Sequence, residues 1–398
     1  MYSFKVFTNI DVEKWNNDLM KSQHANFFQT AEFLTQEPNS GRFPNFIYIF
    51  DDEEVVGQLG LTIVKTGKIR AGSFFRKFTK IASSISSRAE WLCGPIIHVN
   101  DEESRLEILH TIISAVDKIA EDNNLVYMEG KSPPYDTLVN EKYLNELGEH
   151  GYVKKNLITF IVSLEKDMEE IWKNVTKKAR GDVSRGKRRN IIVKELETYE
   201  DLKEYLILSQ KWAKTKGYDL TEPLQEINKL WNDHKSGIEK TFLAYHDGRL
   251  ISGLSVGCFN GIALTHQVIS SYEENTSLGG TLLTWYAVEW AKKSGLRIYD
   301  FSGVYKTEHS KNETTEQYKI RDDTLLFYKK KWGGQEFPFY HFVKVNRKLS
   351  YCLMLTLSRF LLSYTRFKER KYKESMMDKL SKNKKVGDLE KYSSDIID

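Results

Sequence analysis

The sequence predicts an α/β protein of mixed α+β type: two tandem units of like fold, each a mixed twisted sheet flanked by helices, followed by a basic helix. Three observations predict it. The chain has 398 residues, more than one hydrophobic core usually serves. A series of hairpin, helix and short apolar strand occurs twice in the same order. Apolar residues make up 40% of the chain and aromatics 13%, enough to fill two cores rather than leave the chain unfolded.

In the first half, Phe46 to Phe50, the acidic turn Asp51-Asp52-Glu53-Glu54 and Val55 to Val64 read as a hairpin. Glu102 to Ala120 reads as a helix, leading through Asn123-Asn124 into the strand Leu125 to Glu129. In the second half, Asp247-Gly248 and Asn260-Gly261 readily take positive φ at both central turn positions, so Thr241 to Val268 reads as a three-stranded antiparallel meander. Ser277 to Lys293 reads as a helix buried on most of its surface and closed by Gly295, and Arg297 to Phe301 is the strand after it. The two hairpins register without a gap. Leu125-Val126-Tyr127-Met128-Glu129 also matches Leu296-Arg297-Ile298-Tyr299-Asp300 position by position, so Glu129 falls where Asp300 falls.

Meander, helix, then a parallel strand in the same sheet is the order of the acetyltransferase (GNAT) core. The expected organisation is an N-terminal GNAT-like domain over 1–155 and a C-terminal, catalytic one over 156–345, with the boundary near Tyr152 to Ile158. A basic amphipathic helix over 346–374 and a charged tail over 375–398 with little to bury complete the chain.

Composition excludes several classes of function. Lys and Arg number 59 against 55 Asp and Glu, too even a balance for a nucleic-acid coat. Cys93, Cys258 and Cys352 are odd in number and far apart, which offers neither a disulfide framework nor a zinc cluster and fits a reducing cytosol. The nine histidines contain no i, i+4 pair, so no metal is expected, and His266 in mid-strand reads as a packed core residue. Met1 to Glu13 has no apolar segment of the signal-peptide kind, and a cytoplasmic location is the expectation. The longest apolar stretch, Tyr351 to Leu362, is broken by Arg359 and falls short of the roughly 18–20 residues of a membrane helix.

Three segments have the composition of a reaction centre. Between Ile171 and Asn190, Lys173, Lys177, Lys178, Arg180, Arg185, Lys187, Arg188 and Arg189 stand against the single acid Asp182. Read as one helix, the segment packs on Trp172, Val175, Ala179, Val183 and Gly186 and turns Lys177, Arg180 and Arg188 outward as a stripe suited to phosphates. A solvated helix face is the plainer reading of any one of these residues. In Tyr328-Lys329-Lys330-Lys331-Trp332-Gly333-Gly334, Lys329 or Lys330 at a helix end is placed to stabilise an oxyanion or hold an anion, or simply to complement the helix dipole. Tyr299-Asp300-Phe301-Ser302-Gly303 is a parallel strand ending in an acid, where ligands of open α/β sheets gather. There Asp300 is able to deprotonate or orient an amine, to cap a helix, or to pair with a lysine.

These segments, in this order, resemble the FemABX aminoacyltransferases, whose members show a tryptophan-containing helix with a basic run, a Y-D-F-x-G strand end and an F-K-K-x-F-G-G-like segment. Here they are Trp172 with Lys177 to Arg185, Tyr299 to Gly303, and Tyr328 to Gly334; Phe27-Phe28-Gln29-Thr30-Ala31-Glu32-Phe33 is similar to the family's N-terminal F-x-Q-S/T-x-x-W element. The resemblance implies two GNAT-like domains and transfer of an aminoacyl group from aminoacyl-tRNA to an amine of a cell-wall precursor such as that of peptidoglycan. It implies Lys329 as the catalytic lysine and Arg180 as the phosphate-region arginine; the basic stripe, the strand end and the internal repeat add Lys177, Arg188, Tyr299, Ser302, Gly303 and Glu129 as further substrate-binding candidates. The sequence departs from the pattern at Phe33, where tryptophan is usual, and at Thr35 and Gln36, where a basic residue often follows; no inserted helical arm is evident. No cofactor is expected beyond the co-substrate.

Two other readings stand beside this one. An acyl-CoA-dependent N-acyltransferase needs a Q/R-x-x-G-x-G/A loop at a helix start, which Thr276-Ser277-Leu278-Gly279-Gly280 supplies only in part. A catalytically inactive GNAT-like binding protein is the other. A phosphate-bearing or lipid-linked acceptor is the expected partner. The helix from Ser350 to Arg366, with Leu353, Leu357, Phe360, Leu361 and Tyr364 on one face, is expected to pack on the first domain or to touch a membrane surface.

Overall fold

The computed structural model of the protein describes residues 2–35, 41–65, 85–136, 138–215, 227–271, 276–305 and 325–357. The first half comprises β1 (Ser3–Phe7), α1 (Val12–Leu19), a 3-10 turn at Phe27–Gln29, α2 (Ala31–Leu34), β2 (Arg42–Asp51), β3 (Glu54–Val64), β4 (Arg88–Trp91), β5 (Ile96–Ile97), α3 (Glu102–Asp122), β6 (Tyr127–Lys131) and α4 (Glu141–Glu149). After the long strand β7 (Val153–Ser163) come α5 (Met168–Asn174), α6 (Lys177–Arg188), β8 (Ile192–Glu195), α7 (Tyr199–Thr215) and α8 (Ile227–Ser236). The meander β9 (Glu239–His246), β10 (Arg249–Phe259) and β11 (Ile262–Ser270) follows, then α9 (Thr276–Lys293), β12 (Ile298–Asp300), β13 (Val304–Tyr305), a helical stretch at 325–330, and β14 (Gln335–Val345).

The internal repeat is visible in backbone detail. Asp52 and Asp247 both take positive φ at the hairpin turns, at 51° and 49°. In each hairpin the register then slips at the same interval from that aspartate, at Val56 in β3 and at Ile251 in β10. A β-bulge at one place in both hairpins is a feature of the fold rather than an accident of the loop. Asn260 and Gly261 both take positive φ, as the meander requires. The helix-to-strand joints also coincide: Asn124 and Gly295 take positive φ, and Leu125 N–H reaches Ala120 O as Leu296 N–H reaches Ala291 O. Each joint delivers a parallel strand, β6 beside β4 and β12 beside β11.

The described strands form one 14-stranded sheet in the order β1-β2-β3-β4-β6-β14-β7-β12-β11-β10-β9-β8, with β5 on β3 and β13 on β7. The residues from 152 to 158, where the sequence suggests a boundary, run into β7 at the centre of this sheet. β14, the last strand of the chain, pairs with β6 of the first half on one side and with β7 on the other. Its Phe342 is 2% exposed in the first half's core with Ile47, Leu59, Ile112 and Tyr152. The first half is therefore closed by residues from the far end of the sequence.

The second half's core packs α9, α5 and α6 on β7 and β9–β12, around Phe160, Phe242, Leu283 and Tyr299. α7 and α8 bring a separate cluster, including Leu202, Leu206 and Ile227, against Leu243 and Ile269. The F-x-Q-T segment of the first half lies on the second half's sheet. Phe27 is fully buried beside Ile238 and Leu264, and a Cβ on Gly257 would come within 2.5 Å of its ring. Gln29 ties the same segment back to its own half, donating to Gly60 O and Leu92 O and accepting from Gly60 N–H.

Two expectations change here, and a third falls partly outside the described residues. The basic segment 171–190 is two helices: Val175 is extended (φ −66°, ψ 136°), and Thr176 caps α6 by accepting from Ala179 N–H. A threonine offers the backbone that cap in place of a continuous helix. His266 is no core residue; its side chain is 30% exposed, pairs with Glu239 at 2.9 Å and rests among Phe27, Phe28 and Phe33. The C-terminal helix is described only to 357, with Tyr351 edge-on to Tyr127 of β6 at 5.2 Å; Phe360, Leu361, Tyr364 and the tail lie outside the described residues. No described helix is long and apolar enough to cross a membrane.

Candidate active site at the junction of the halves

The alternation of β12 decides which way its acid points. Tyr299 and Phe301 face the second half's core at 0% and 3% exposure, so Asp300 faces the opposite side, toward the first half. It is 4% exposed. One carboxylate oxygen accepts from Tyr135 Oη at 2.6 Å, and the other accepts from Ser302 N–H at 2.7 Å and from the Thr159 hydroxyl. Tyr135 belongs to the loop after β6, so this carboxylate is a polar bridge between the halves. A carboxylate with both oxygens engaged orients its donors.

Just beyond β12 the chain turns through Ser302 at φ 63°, which presents successive carbonyls to one side. Lys329, near the end of the helical stretch at 325–330, donates to Ser302 O at 2.6 Å and Gly303 O at 3.0 Å. Gly303 has no room for a side chain, because a Cβ there would lie 2.2 Å from the Phe339 ring on β14. Burial lowers the Lys329 pKa to about 8; Asp300 opposes that shift and Lys131 adds to it. Burial raises the Asp300 pKa, against the hydrogen bonds from Thr159, Tyr135 and Ser302 and the charge of Lys329. Burial, then the Asp300 charge, holds the Tyr135 phenol well above its usual range. Cys93, pushed up to about 12 by burial and within electrostatic range of Lys131 and Asp300, is a neutral thiol here. Around Asp300, then, stand a phenol that keeps its proton and an ammonium close to its titration point, the latter within electrostatic range of a second lysine, Lys131.

The lysines of the 329–331 run diverge. Lys330 is exposed. Lys331 packs over the rings of Tyr328 and Trp332 at 4.1 and 4.9 Å and reaches Thr281 Oγ1 of α9 at 3.3 Å. Burial lowers its pKa to about 8, with Asp182 opposing and Lys178 adding. Lys178 of α6 lies over Phe327 at 5.9 Å, and Lys331 O accepts from Thr176 N–H. The start of α6, the first turns of α9 and the 325–331 stretch thus form one basic surface adjoining Lys329. Gly333, at φ 77°, allows the turn into β14; a Cβ there would come 2.4 Å from Asn174 O. A cleft of about 180 Å³, lined by Gln23, His24, Tyr135, Ile262, Arg297 and Ile298, opens between the halves beside Tyr135.

The chain superposes on FemX with a TM-score of 0.64 at 15% identity, over 88% of this chain and 99% of that one. It has the FemABX-like tandem acetyltransferase fold. L-PGS from Bacillus licheniformis gives a TM-score of 0.52 at 15% identity, covering 89% and 98% of the two chains. The C-terminal domain of a putative lysylphosphatidylglycerol synthetase from Agrobacterium fabrum gives 0.53 at 13% identity, covering 86% and 94%. No protein-family model and no curated protein matches the sequence.

Within this FemABX-like fold, Asp300, Ser302, Gly303 and Lys329 come together, while other candidates go elsewhere. Tyr299 is a correction: it is fully buried in the second half's core, its hydroxyl 3.0 Å from Thr265 Oγ1, because its neighbour Asp300 takes the other face of β12. Glu129 occupies the repeat position of Asp300 but is engaged by Arg88 at 3.0 Å and His341 at 3.3 Å. Arg180 Nη1 donates to the carbonyls of Trp172, Lys173 and Val175, which closes the C-terminal end of α5. Lys177 is exposed at the start of α6, and Arg188 is exposed at its far end, about 16 Å along the axis at the rise of a helix. Removing the guanidinium in Arg180→Ala strips three carbonyls of a charged donor. It is expected to lower stability by about 1–2 kcal/mol, read as a fall in the urea midpoint at unchanged slope.

Tyr135, Thr159 and Lys131 were not singled out from the sequence. Tyr135 had a signal: Pro133-Pro134-Tyr135-Asp136 is the loop after β6, the first half's counterpart of the turn after Asp300. Thr159 had none, since a threonine in mid-strand is commonplace.

Proposed function

We propose that the protein transfers an aminoacyl group from an activated ester donor, aminoacyl-tRNA, to the amine of a phosphate-bearing or lipid-linked cell-surface precursor. The observation that carries this reading is Lys329, a half-buried ammonium held on the carbonyls after β12 beside Asp300 and adjoining a basic surface, within a FemX-like fold. The acceptor nitrogen attacks the donor carbonyl, the C–N bond forms, and the ester C–O bond breaks. The surplus proton on nitrogen leaves through solvent to the departing hydroxyl. Lys329 stabilises the oxyanion of the intermediate, where a cation in a water-poor setting is most effective. Asp300 keeps Tyr135, Thr159 and the Ser302 turn in place and favours the charged form of Lys329. Lys177, Lys178 and Lys331 receive the phosphates of the donor or the acceptor.

An aminoacyl donor is favoured over acyl-CoA by the use made of the glycine pair in α9. A Cβ on Gly279 would lie 2.9 Å from Ile251, so this glycine serves packing of the helix on β10. Gly280 O accepts from Thr284 and Tyr328 hydroxyls. A lipid-linked acceptor agrees with the name of one structural neighbour, a putative lysylphosphatidylglycerol synthetase.

The test offers the protein charged tRNA, uncharged tRNA and acyl-CoA separately, with thermal stabilisation and transfer of a labelled aminoacyl group to an amine-bearing lipid phosphate as readouts. Stabilisation by charged tRNA with label transfer is expected. Stabilisation and turnover with acyl-CoA alone would overturn the choice of donor.

A further inference from the structure

On the opposite side of the first half from α1 and α2, three side chains from α3 and from around the end of α4 converge. His110 Nδ1 lies 2.8 Å from Glu146 Oε1 and 3.2 Å from His150 Nε2, and His150 Nε2 lies 3.4 Å from Glu146 Oε1. All three atoms are mutually within 4.8 Å. The other imidazole nitrogen of His150 faces Asp117 Oδ2 at 3.3 Å, and Asp117 Oδ1 is in turn held by Lys344 Nζ of β14 at 2.7 Å.

We propose that His110, Glu146 and His150 form a three-ligand site for a borderline divalent transition metal such as Zn²⁺, with the fourth position open to solvent. Spacing is the first argument. Bonds of about 2.0–2.1 Å in tetrahedral geometry set ligand atoms about 3.3 Å apart, close to what the three atoms show. Orientation is the second: His150 turns Nδ1 toward Asp117, which aims Nε2 at the same point as His110 Nδ1 and Glu146 Oε1. Third, a carboxylate behind a ligating histidine is the usual outer partner of a metal-bound imidazole, and here Lys344 positions it.

Two imidazoles with one carboxylate suit Zn²⁺, Co²⁺ or Ni²⁺ and disfavour Mg²⁺ and Ca²⁺, which take oxygen ligands. Glu146 and His150 side chains are 19% and 16% exposed and His110 is 62% exposed, so the ion enters from solvent on the His110 side. Occupancy ties α3 to the end of α4 and, through Asp117 and Lys344, to β14. The site therefore couples metal to closure of the first half and takes no part in the transfer chemistry.

The experiment titrates the full chain with ZnCl₂ at pH 7.5 by calorimetry and follows the thermal midpoint, with MgCl₂ and CaCl₂ as controls. The outcome expected is one Zn²⁺ per chain, a raised midpoint with zinc alone, and at least tenfold weaker binding in His110→Ala, His150→Ala and Glu146→Gln. Co²⁺ should give the visible absorption of a tetrahedral centre in the wild type and lose it in the variants. His110 is the most exposed ligand, so His110→Ala keeps the test valid should a change at His150 disturb folding. Zinc affinity unchanged in His110→Ala, or equal response to Mg²⁺, would overturn the proposal.

Discussion

Lys329→Met is expected to lower kcat/KM by about 10²–10³-fold, the usual consequence of removing one oxyanion donor, while the fold is kept. The sign of its effect on stability separates chemistry from folding. Lys329 has a folded pKa of about 8 against the ordinary lysine value of 10.5, so between these values the unfolded chain binds more protons and stability rises with pH. Below pH about 8 the half-buried ammonium is a burden on the folded state, so methionine in its place is neutral or mildly stabilising at pH 7. A variant with an unchanged or raised thermal midpoint and kcat/KM lowered to that extent meets the expectation. Wild-type turnover would remove Lys329 from the mechanism. The pH profile gives a second reading of the same residue. If Lys329 acts as a cation, kcat/KM is expected to fall as pH rises through about 8, whereas a lysine acting as general base would make it rise there.

Phe27→Ala is expected to cost about 3–5 kcal/mol, as for a large aromatic removed from a filled site. Phe27 is fully buried, meets Phe33 and Phe28 edge-on at 5.1 and 5.7 Å, and lies on Gly257 of the other half. The loss falls at the contact between the halves, so turnover is expected to drop along with stability, because Asp300 and Tyr135 meet across the same junction. Gly257→Ala tests the contact from the opposite side, since the added methyl must displace the Phe27 ring. Urea unfolding of both variants checks this; a loss below about 1 kcal/mol in Phe27→Ala would show that this ring does not hold the halves together.

The F-x-Q-T segment shows how a motif acquires its physical reason. From sequence, Phe27 and Gln29 stand out only through resemblance to a family. In the structure, Phe27 fills the space over a strand glycine of the second half, and Gln29 satisfies backbone groups of the first that lack a ladder partner. The basic segment shows the reverse. Its charges are plain in the sequence, yet Arg180 is drawn inward onto the carbonyls that α5 leaves open when Thr176 breaks the helix. Likewise, histidines scanned for i, i+4 pairs with each other hide His110, which meets Glu146 and His150 only when α3 packs on α4.

By itself the sequence determined the repeated unit, because its signals are local. Asp52, Asp247, Asn260 and Gly295 are residues that accept positive φ, and the apolar runs between them allow only a hairpin, a meander and a buried helix. It also determined that Asp300 would end a parallel strand and that a lysine would precede the Gly333-Gly334 turn. Only the tertiary structure decided that β14 closes the first half beside β7, and that Tyr135 and Thr159 meet Asp300. These depend on pairings between residues far apart in the chain. Their free energy comes from burying surface contributed by both halves at once, and no single stretch of sequence contains that information.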